Sequence, residues 1–177
     1  NLEPFAQTGH EIIAPAPSLF TLTIADKAFT SLMGIVVEPV TMGIVSTKFK
    51  SEGALLITHW GMSGPATLKL SAHAARYLQE QNYRVNVAIN WVNESNANIV
   101  EEHIANIIQR NPKKHIAGIA PYQLTNRMWQ YLLERADIDG TKRWDELGRK
   151  GMNKLIETLT NDIHATQGKG RFKDEFV

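Results

Sequence analysis

The segment Thr58-His-Trp-Gly-Met-Ser-Gly-Pro65 holds the densest group of residues that could take part in chemistry. An apolar run precedes it, and Pro65 is suited to the first position of a helix. The free N–H groups and the dipole of a helix N-terminus can hold a phosphate or a carboxylate. Thr58, His59 and Ser63 would supply polar side chains beside that turn. In the structural alternative, the glycines permit a tight turn, Ser63 helps satisfy the helix start and His59 is a packing residue.

Other catalytic and metal-binding patterns are missing from the sequence. Gly61-Met-Ser-Gly64 begins like the G-x-S-x-G motif of serine hydrolases, but glycine follows Ser63 directly and the motif ends there. The six histidines lack metal-ligand spacing, and His103 follows two glutamates, which is typical of a solvated helix face. Neither G-x-G-x-x-G nor a P-loop is present. The sequence therefore predicts no metal site and no dinucleotide site within this chain.

The charge balance excludes partners that need a long-range electrostatic field. The chain has 19 Lys and Arg against 18 Asp and Glu, and it has no cysteine. A net charge of +1 does not attract nucleic acid or an anionic membrane over distance, so any charged site must be local. Basic residues do cluster in the later helices, at Lys113, Lys114, His115, Arg143, Arg149, Lys150 and Lys154. Acidic neighbours reduce that field, so the sequence weighs against a nucleic-acid partner.

The first half of the chain has the pattern of strands that enclose one helix. Alternating apolar residues predict strands around Phe20–Ile24, from Val36 to Ile44 and from Arg84 to Trp91, and an apolar run predicts another over Gly53–Thr58. Pro39 marks its strand as an edge strand or a bulged one. A helix should begin at Pro65, with a buried stripe formed by Ala66, Leu70, Ala74 and Leu78.

The second half changes to a helical period. Three helices are predicted, with buried stripes that contain Val100 and Ile104, then Met128 and Leu132, then Leu155 and Leu159. Asn111-Pro112 should stop the first of these helices, and strand returns from Ile163. We therefore expect an α+β fold of two subdomains, with a β-barrel-like part over 1–93 and 162–177 and an inserted helical bundle over 94–161. The composition favours a cytoplasmic location.

Three segments together resemble a known family over nearly the whole chain. They are Gly9-His-Glu-Ile-Ile-Ala-Pro-Ala-Pro-Ser-Leu-Phe-Thr-Leu22, Leu55-Leu-Ile-Thr-His-Trp-Gly-Met-Ser-Gly-Pro-Ala-Thr-Leu-Lys-Leu-Ser71 and Gly168-Lys-Gly-Arg-Phe-Lys-Asp-Glu-Phe-Val177. They resemble the BaiN/YhiN-like NAD(P)/FAD-dependent oxidoreductases, relatives of aminoacetone oxidase. In that family the FAD-binding domain is built from both ends of the polypeptide, and a region of barrel and helical bundle is inserted between them.

The resemblance implies that this chain is the substrate-side or cap domain of a longer flavoprotein. The flavin-binding segments would lie before Asn1 and after Val177, so FAD, with NAD(P)H as candidate reductant, would bind the parent protein and not this chain. Its partners would be that FAD-binding domain and a small-molecule substrate, without a membrane. The residues expected to face the flavin or substrate are Thr58, His59, Trp60, Gly61, Ser63, Gly64 and Pro65. The alternative is a non-catalytic module that binds a protein or nucleic acid through its helical bundle.

Overall fold

A computed structural model describes residues 15–170 and shows a closed barrel of six antiparallel strands. The order around the barrel is β1-β4-β3-β2-β5-β6, so β6 pairs with both β5 and β1. The bounds are β1 Leu22–Ile24, β2 Val36–Ile44, β3 Lys50–Ile57, β4 Gly61–Ser63, β5 Asn86–Asn90 and β6 Asp162–Lys169. Every strand is therefore paired on both sides, which leaves the barrel without a free edge.

The interior of the barrel is filled by side chains. Alternate residues along each strand point inward because successive side chains of a strand lie on opposite faces. The inward residues pack into one apolar core with no solvent exposure: Leu22, Val40, Met42, Leu55, Ile57, Met62, Val87 and Ile89. A barrel of this size holds its own side chains and has no room for a ligand in its centre.

Pro39 lies at a bulge in β2. The pairing of β2 with β3 shifts register between Val37 and Val40, and the Glu38–Pro39 peptide is cis. Since β2 pairs with β3 on one side and β5 on the other, Pro39 does not mark an edge strand. Of the two interpretations of this proline, the bulge is the one that the structure contains.

Three helices belong to the barrel part: α1 Lys27–Thr30, α2 Pro65–His73 and α3 Ala75–Glu80. Pro65 occupies the first turn of α2, as its sequence position predicts. The predicted stripe of Ala66, Leu70, Ala74 and Leu78 is buried throughout, although the helix is interrupted at Ala74. The sequence pattern did not predict α1, which begins at the capping carboxylate of Asp26.

The helical part lies between β5 and β6 and contains α4 Ala97–Arg110, α5 Asn126–Arg135 and α6 Gly148–Thr160. The first of these ends at Asn111, as predicted from Asn111-Pro112. Short 3-10 turns over Ile116–Gly118, Pro121–Gln123 and Trp144–Glu146 join the helices. The indole of Trp129 packs against Trp144, with ring centroids 6.2 Å apart, and its N–H donates to the Ile116 carbonyl.

The α+β fold expected from the sequence is confirmed, with a closed barrel, embedded helices and an inserted helical part. Residues 1–14 and 171–177, which were assigned to the β-barrel-like part from the sequence, fall outside the described residues. Within residues 15–170, no helix has the length and apolar character needed to cross a bilayer. The fold therefore places the Thr58–Pro65 segment in the barrel, at β3, β4 and the start of α2.

Candidate functional site

The Thr58–Pro65 segment forms a hairpin followed by a helix, in place of the single turn expected from the sequence. Thr58 and Gly61 close the turn between β3 and β4: the Thr58 N–H donates to the Gly61 carbonyl at 2.8 Å, and the Gly61 N–H donates to the Thr58 hydroxyl at 3.1 Å. His59 and Trp60 form the tip. The Trp60 carbonyl accepts the Ile24 N–H at 2.8 Å, which fixes the tip to the end of β1.

Both glycines of the motif are required by close backbone contact. A Cβ on Gly61 would lie 2.2 Å from the Leu22 carbonyl oxygen of β1. A Cβ on Gly64 would lie 2.8 Å from the Ala54 carbonyl oxygen of β3, and the φ of Gly64 is +90°. Side chains are excluded at both positions on steric grounds. These glycines therefore allow β4 and the start of α2 to pack closely against the neighbouring strands, which is a structural role.

The N-terminus of α2 is closed to an anion. The first-turn residues Ala66 and Thr67 are fully buried, and no side chain caps the helix at Gly64. The Ser63 carbonyl accepts a hydrogen bond from the Thr67 hydroxyl at 3.1 Å. Ser63 is half-buried and Pro65 is exposed. Because the first-turn N–H groups face the protein interior, this helix start does not present the donors that a phosphate would need.

The structure therefore separates the seven candidate residues into two groups. Thr58, His59, Trp60 and Gly61 lie in the turn between β3 and β4, and Ser63, Gly64 and Pro65 lie at the other end of the three-residue strand β4. Thr58 is buried by its turn, whereas His59 is exposed and its ring meets the Trp60 ring edge-on, with centroids 4.3 Å apart. An exposed imidazole on an aromatic ring can donate or accept a proton and can contact a planar group.

A cleft between the barrel and the helical part was not predicted from the sequence. It has a volume of about 370 Å³ and is lined by the bulged half of β2, by Trp91 and by the turn from Tyr122 to Thr125. Tyr122 and Gln123 both adopt left-handed φ angles, of 52° and 57°. Paired residues in that region mark a strained backbone, which the sequence does not signal without glycine.

His103 and Tyr122 form a stacked pair beside this cleft, with ring centroids 4.2 Å apart. His103 was expected on a solvated face, but it is half-buried, and its burial lowers its pKa. Burial raises the pKa of Tyr122, and the nearby charge of Glu94 raises it further. The Tyr122 hydroxyl has no hydrogen-bond partner among the described residues. The Tyr122 ring thus lines the cleft, while its neutral hydroxyl is buried and the imidazole of His103 stacks on the ring from outside the cleft lining.

A buried charged network lies where the helical part joins the barrel, and it too was not predicted. The Asp162 carboxylate accepts hydrogen bonds from Trp91 at 3.0 Å, from His164 at 2.7 Å and from Arg135 at 2.6 Å. Burial opposes ionisation of Asp162, but His164 and Arg135 outweigh it, so the pKa of Asp162 lies below its ordinary value. Since Asp162 is only 4% exposed, this network serves the fold and is closed to a substrate.

The combination of barrel and helical part matches a known protein family. The model of the HI0933-like protein barrel and H2TH domain matches residues 16–177. The chain belongs to that family. The family is related to FAD-binding flavoproteins, and its barrel and helical domain correspond to the two parts seen in the structure.

A relative from Haemophilus influenzae, named ribosomal RNA dihydrouridine synthase, is 31% identical over 160 residues. The match covers 89% of this chain and 36% of the relative. The chain therefore spans about a third of the length of the curated relative that it matches.

The described residues form no cluster of metal ligands, and two places that could have received a cofactor are filled. In the part of the chain from 15 to 170, no group of three or more His, Asp or Glu side chains is placed to hold a metal ion. The barrel centre is filled by side chains and the start of α2 is buried, so neither of these two places has room for a phosphate or for a flavin ring.

Proposed function

We propose that this chain is the substrate-side module of a longer FAD-dependent oxidoreductase of the BaiN/YhiN-like kind, and that FAD is held by other parts of that protein. The family relation to flavoproteins supports this role. The packed barrel supports it as well, because a module without room for the cofactor contributes by shaping the pocket and excluding water from it. The predicted division into residues 1–93 with 162–177 and residues 94–161 is part of this proposal.

The reaction that we propose for the parent protein is reduction of uridine in ribosomal RNA. The observation that carries this proposal is the match of 89% of the chain to a protein named ribosomal RNA dihydrouridine synthase. Reduction of the uracil C5–C6 bond adds a hydride and a proton, and a flavin supplies hydride chemistry when it is bound. The substrate would then be a nucleotide within RNA in place of the free small molecule expected from the sequence.

Within this module, we assign the contact with the reacting base or the flavin to the hairpin tip. His59 is exposed there, and Trp60 offers an aromatic edge beside it. Met33 and Val36, which are 54% and 52% exposed, lie on the segment that hydrogen-bonds to Ile57, next to the tip. Exposed apolar groups beside an aromatic residue and an imidazole suit a surface that is covered in the complete protein.

Titration with FAD tests whether the cofactor is held by parts of the protein outside this chain. The 177-residue chain and the full-length protein are titrated in parallel, and bound flavin is followed by absorbance and by quenching of flavin fluorescence. We expect only the full-length protein to retain FAD. Tight binding of flavin by the 177-residue chain would contradict the proposal.

Substitution of His59 tests the assigned surface. In the full-length protein, His59→Ala should slow flavin reoxidation by RNA or weaken substrate affinity by about tenfold, since a single positioned acid or base typically contributes at least that much. The matched control is His115→Ala, because His115 is also exposed but lies in the helical part. If the two variants have the same rate of flavin reoxidation and the same substrate affinity, His59 has no specific role in the site.

A further inference from the structure

One face of the barrel carries a concentration of basic side chains outside the hairpin tip. It is formed by the turn between β2 and β3 together with α2 and α3, and we call it the basic face. Its four cationic or titratable side chains are Lys48, Lys69, His73 and Arg76. The Lys50 side chain lies apart from them, against Gly43 of β2. Lys69 and His73 belong to α2, and the others lie on different elements. The face is therefore brought together by the fold and does not correspond to one continuous segment of the sequence.

Hydrogen bonds establish that these elements are adjacent. The Lys69 ammonium donates to the Glu52 carbonyl of β3 at 3.1 Å, and His73 Nδ1 lies 3.5 Å from the Lys50 carbonyl. Lys69 and His73 are four residues apart on α2 and therefore share one side of the helix. At about 1.5 Å of rise per residue, Lys69 and His73 lie roughly 6 Å apart along the helix axis.

The basic face is less neutralised than the helical part. Among the described residues, none of its four side chains makes an ion pair, and all four residues are exposed. In the helical part, by contrast, the carboxylates of Asp145, Glu101 and Asp137 are paired with Lys113, Arg149 and Lys154. Glu52, the acidic residue of β3, accepts a hydrogen bond from the side-chain amide of Asn93 through its carboxylate.

Two aromatic rings lie within the basic face. Phe49 and Tyr77 are half-buried, and their ring centroids are 5.7 Å apart. Proteins that bind single-stranded nucleic acid combine a positively charged surface with aromatic rings against which bases stack. The large exposed apolar side chains of the described residues include none on α2 or α3, which argues against insertion of this face into a lipid layer.

We infer that the basic face binds the phosphate backbone of the RNA whose uridine the parent protein acts on. The inference rests on the proposed function for the presence of RNA, but the location comes from the charges and rings above. Because the net charge of the chain is only +1, binding must depend on this local cluster and must weaken steeply with salt. The ammonium and guanidinium groups would contact phosphate oxygens, and Phe49 or Tyr77 would contact a base.

Charge reversal on two faces tests the inference in the full-length protein. The variant Lys48→Glu with Arg76→Glu changes the basic face. The control, Lys114→Glu with Lys150→Glu, makes the same change in net charge in the helical part, at exposed lysines without an ion pair among residues 15–170. The probe is a fluorescein-labelled RNA hairpin with uridines in its loop, followed by anisotropy over a series of salt concentrations.

We expect the basic-face variant to bind the hairpin at least tenfold more weakly and to show a smaller salt dependence, by roughly 0.7 to 0.9 in slope for each phosphate that is no longer neutralised. The control should remain within about twofold of the unchanged protein. Lys48→Gln with Arg76→Gln, which only removes charge, keeps the test valid if charge reversal impairs folding. Equal weakening by both double variants, or no weakening by the basic-face variants, would overturn the inference.

Two further measurements distinguish this inference from the proposed function. Vesicles of phosphatidylserine and phosphatidylcholine are offered in place of RNA; retention by the vesicles without binding to the hairpin would overturn the inference in favour of a lipid surface. Bound FAD is measured on the same protein samples. If the basic-face variant keeps its full content of FAD and binds the RNA hairpin as well as the unchanged protein does, the inference about the basic face is contradicted but the proposed function is not. If the unchanged full-length protein holds no FAD, the proposed function itself is contradicted.

Discussion

The Asp162 carboxylate accepts a 3.0 Å hydrogen bond from the indole N–H of Trp91. Trp91 follows β5, where the chain leaves the barrel, and Asp162 begins β6, where the chain returns. The Trp91 backbone N–H also donates to the Leu159 carbonyl at the end of α6. The end of β5 and the start of β6 are thus joined directly. Arg135 of α5 donates a further hydrogen bond from the helical part to the same carboxylate.

The first prediction concerns loss of this buried charge. Asp162→Asn leaves the guanidinium of Arg135 without its anion, and removing one partner of a buried pair costs about 3 to 5 kcal/mol. We expect about 3 kcal/mol, because the Arg135 side chain is 35% exposed and remains partly hydrated. Chemical denaturation measures the free energy of unfolding, and the melting temperature should fall by roughly 6 to 12 °C.

A matched control for that variant is Asp137→Asn. Asp137 is also paired with a cation, Lys154, but its side chain is 91% exposed. Exposed ion pairs contribute little to stability, so this variant should unfold like the unchanged chain. A similar loss of stability in both variants would show that burial of Asp162 is not the cause.

The second prediction concerns acid unfolding. The pKa of Asp162 in the folded chain lies below its ordinary value of 3.8. A carboxyl with a depressed native pKa contributes stability above the unfolded pKa, and that contribution is lost as the pH falls through the native pKa. The unchanged chain should therefore lose stability below pH 3.8, and Asp162→Asn should reduce the slope there. Urea unfolding at a series of acidic pH values provides the measurement, and parallel slopes would contradict it.

The third prediction concerns the contact between β1 and β4. Gly61→Ala would place a methyl group 2.2 Å from the Leu22 carbonyl oxygen, so the two strands would have to separate. We expect a loss of more than about 3 kcal/mol, or failure to fold, since overpacking against backbone cannot be relieved by a rotamer change. Gly118→Ala is the control, because no atom lies within 4 Å of that Cβ. In thermal melting, the melting temperature of Gly61→Ala should be clearly lower than that of Gly118→Ala.

The fourth prediction concerns a buried hydroxyl. Tyr131 is 5% exposed, and its hydroxyl has no hydrogen-bond partner among the described residues. Tyr131→Phe should leave stability unchanged or raise it slightly, because a buried group without a partner gains nothing from its polarity. Thr166→Val is the contrasting variant: the Thr166 hydroxyl accepts from the Val85 N–H and donates to the Tyr83 carbonyl. It should cost about 1 to 3 kcal/mol, and a comparable loss for Tyr131→Phe would reveal a partner for that hydroxyl.

Elements with local signals could be predicted from the sequence. Pro65 specifies the first turn of α2, and the spacing from Ala66 to Leu78 specifies its buried side, because both depend only on neighbours within a few turns. The bulge in β2 was one of the two interpretations of Pro39 for the same reason. The strand β4 could not be predicted, because a strand of three residues is too short to show a period and is held by pairing with β1 and β3.

The candidate site shows the same limit. The sequence selected Thr58–Pro65 by residue type but could not show that β4 separates His59 from Gly64. The network around Asp162 brings together Trp91, Arg135 and His164, and its partners are distant in sequence, so no spacing rule points to it. The basic face is likewise formed by residues of a turn between strands and of two helices. Composition alone shows a chain that is almost neutral and does not reveal this local cluster of charge.

The pairing of β6 with both β1 and β5 also sets the order in which the protein can fold during synthesis. The Thr23 hydroxyl donates to the Gly168 carbonyl across 145 positions of sequence, so the seam of the barrel closes only after β6 has left the ribosome. Until then, β1 and β5 are the unpaired edges of an open five-stranded sheet. A nascent chain that stops before Asp162 exposes both edges and is therefore prone to edge-to-edge aggregation.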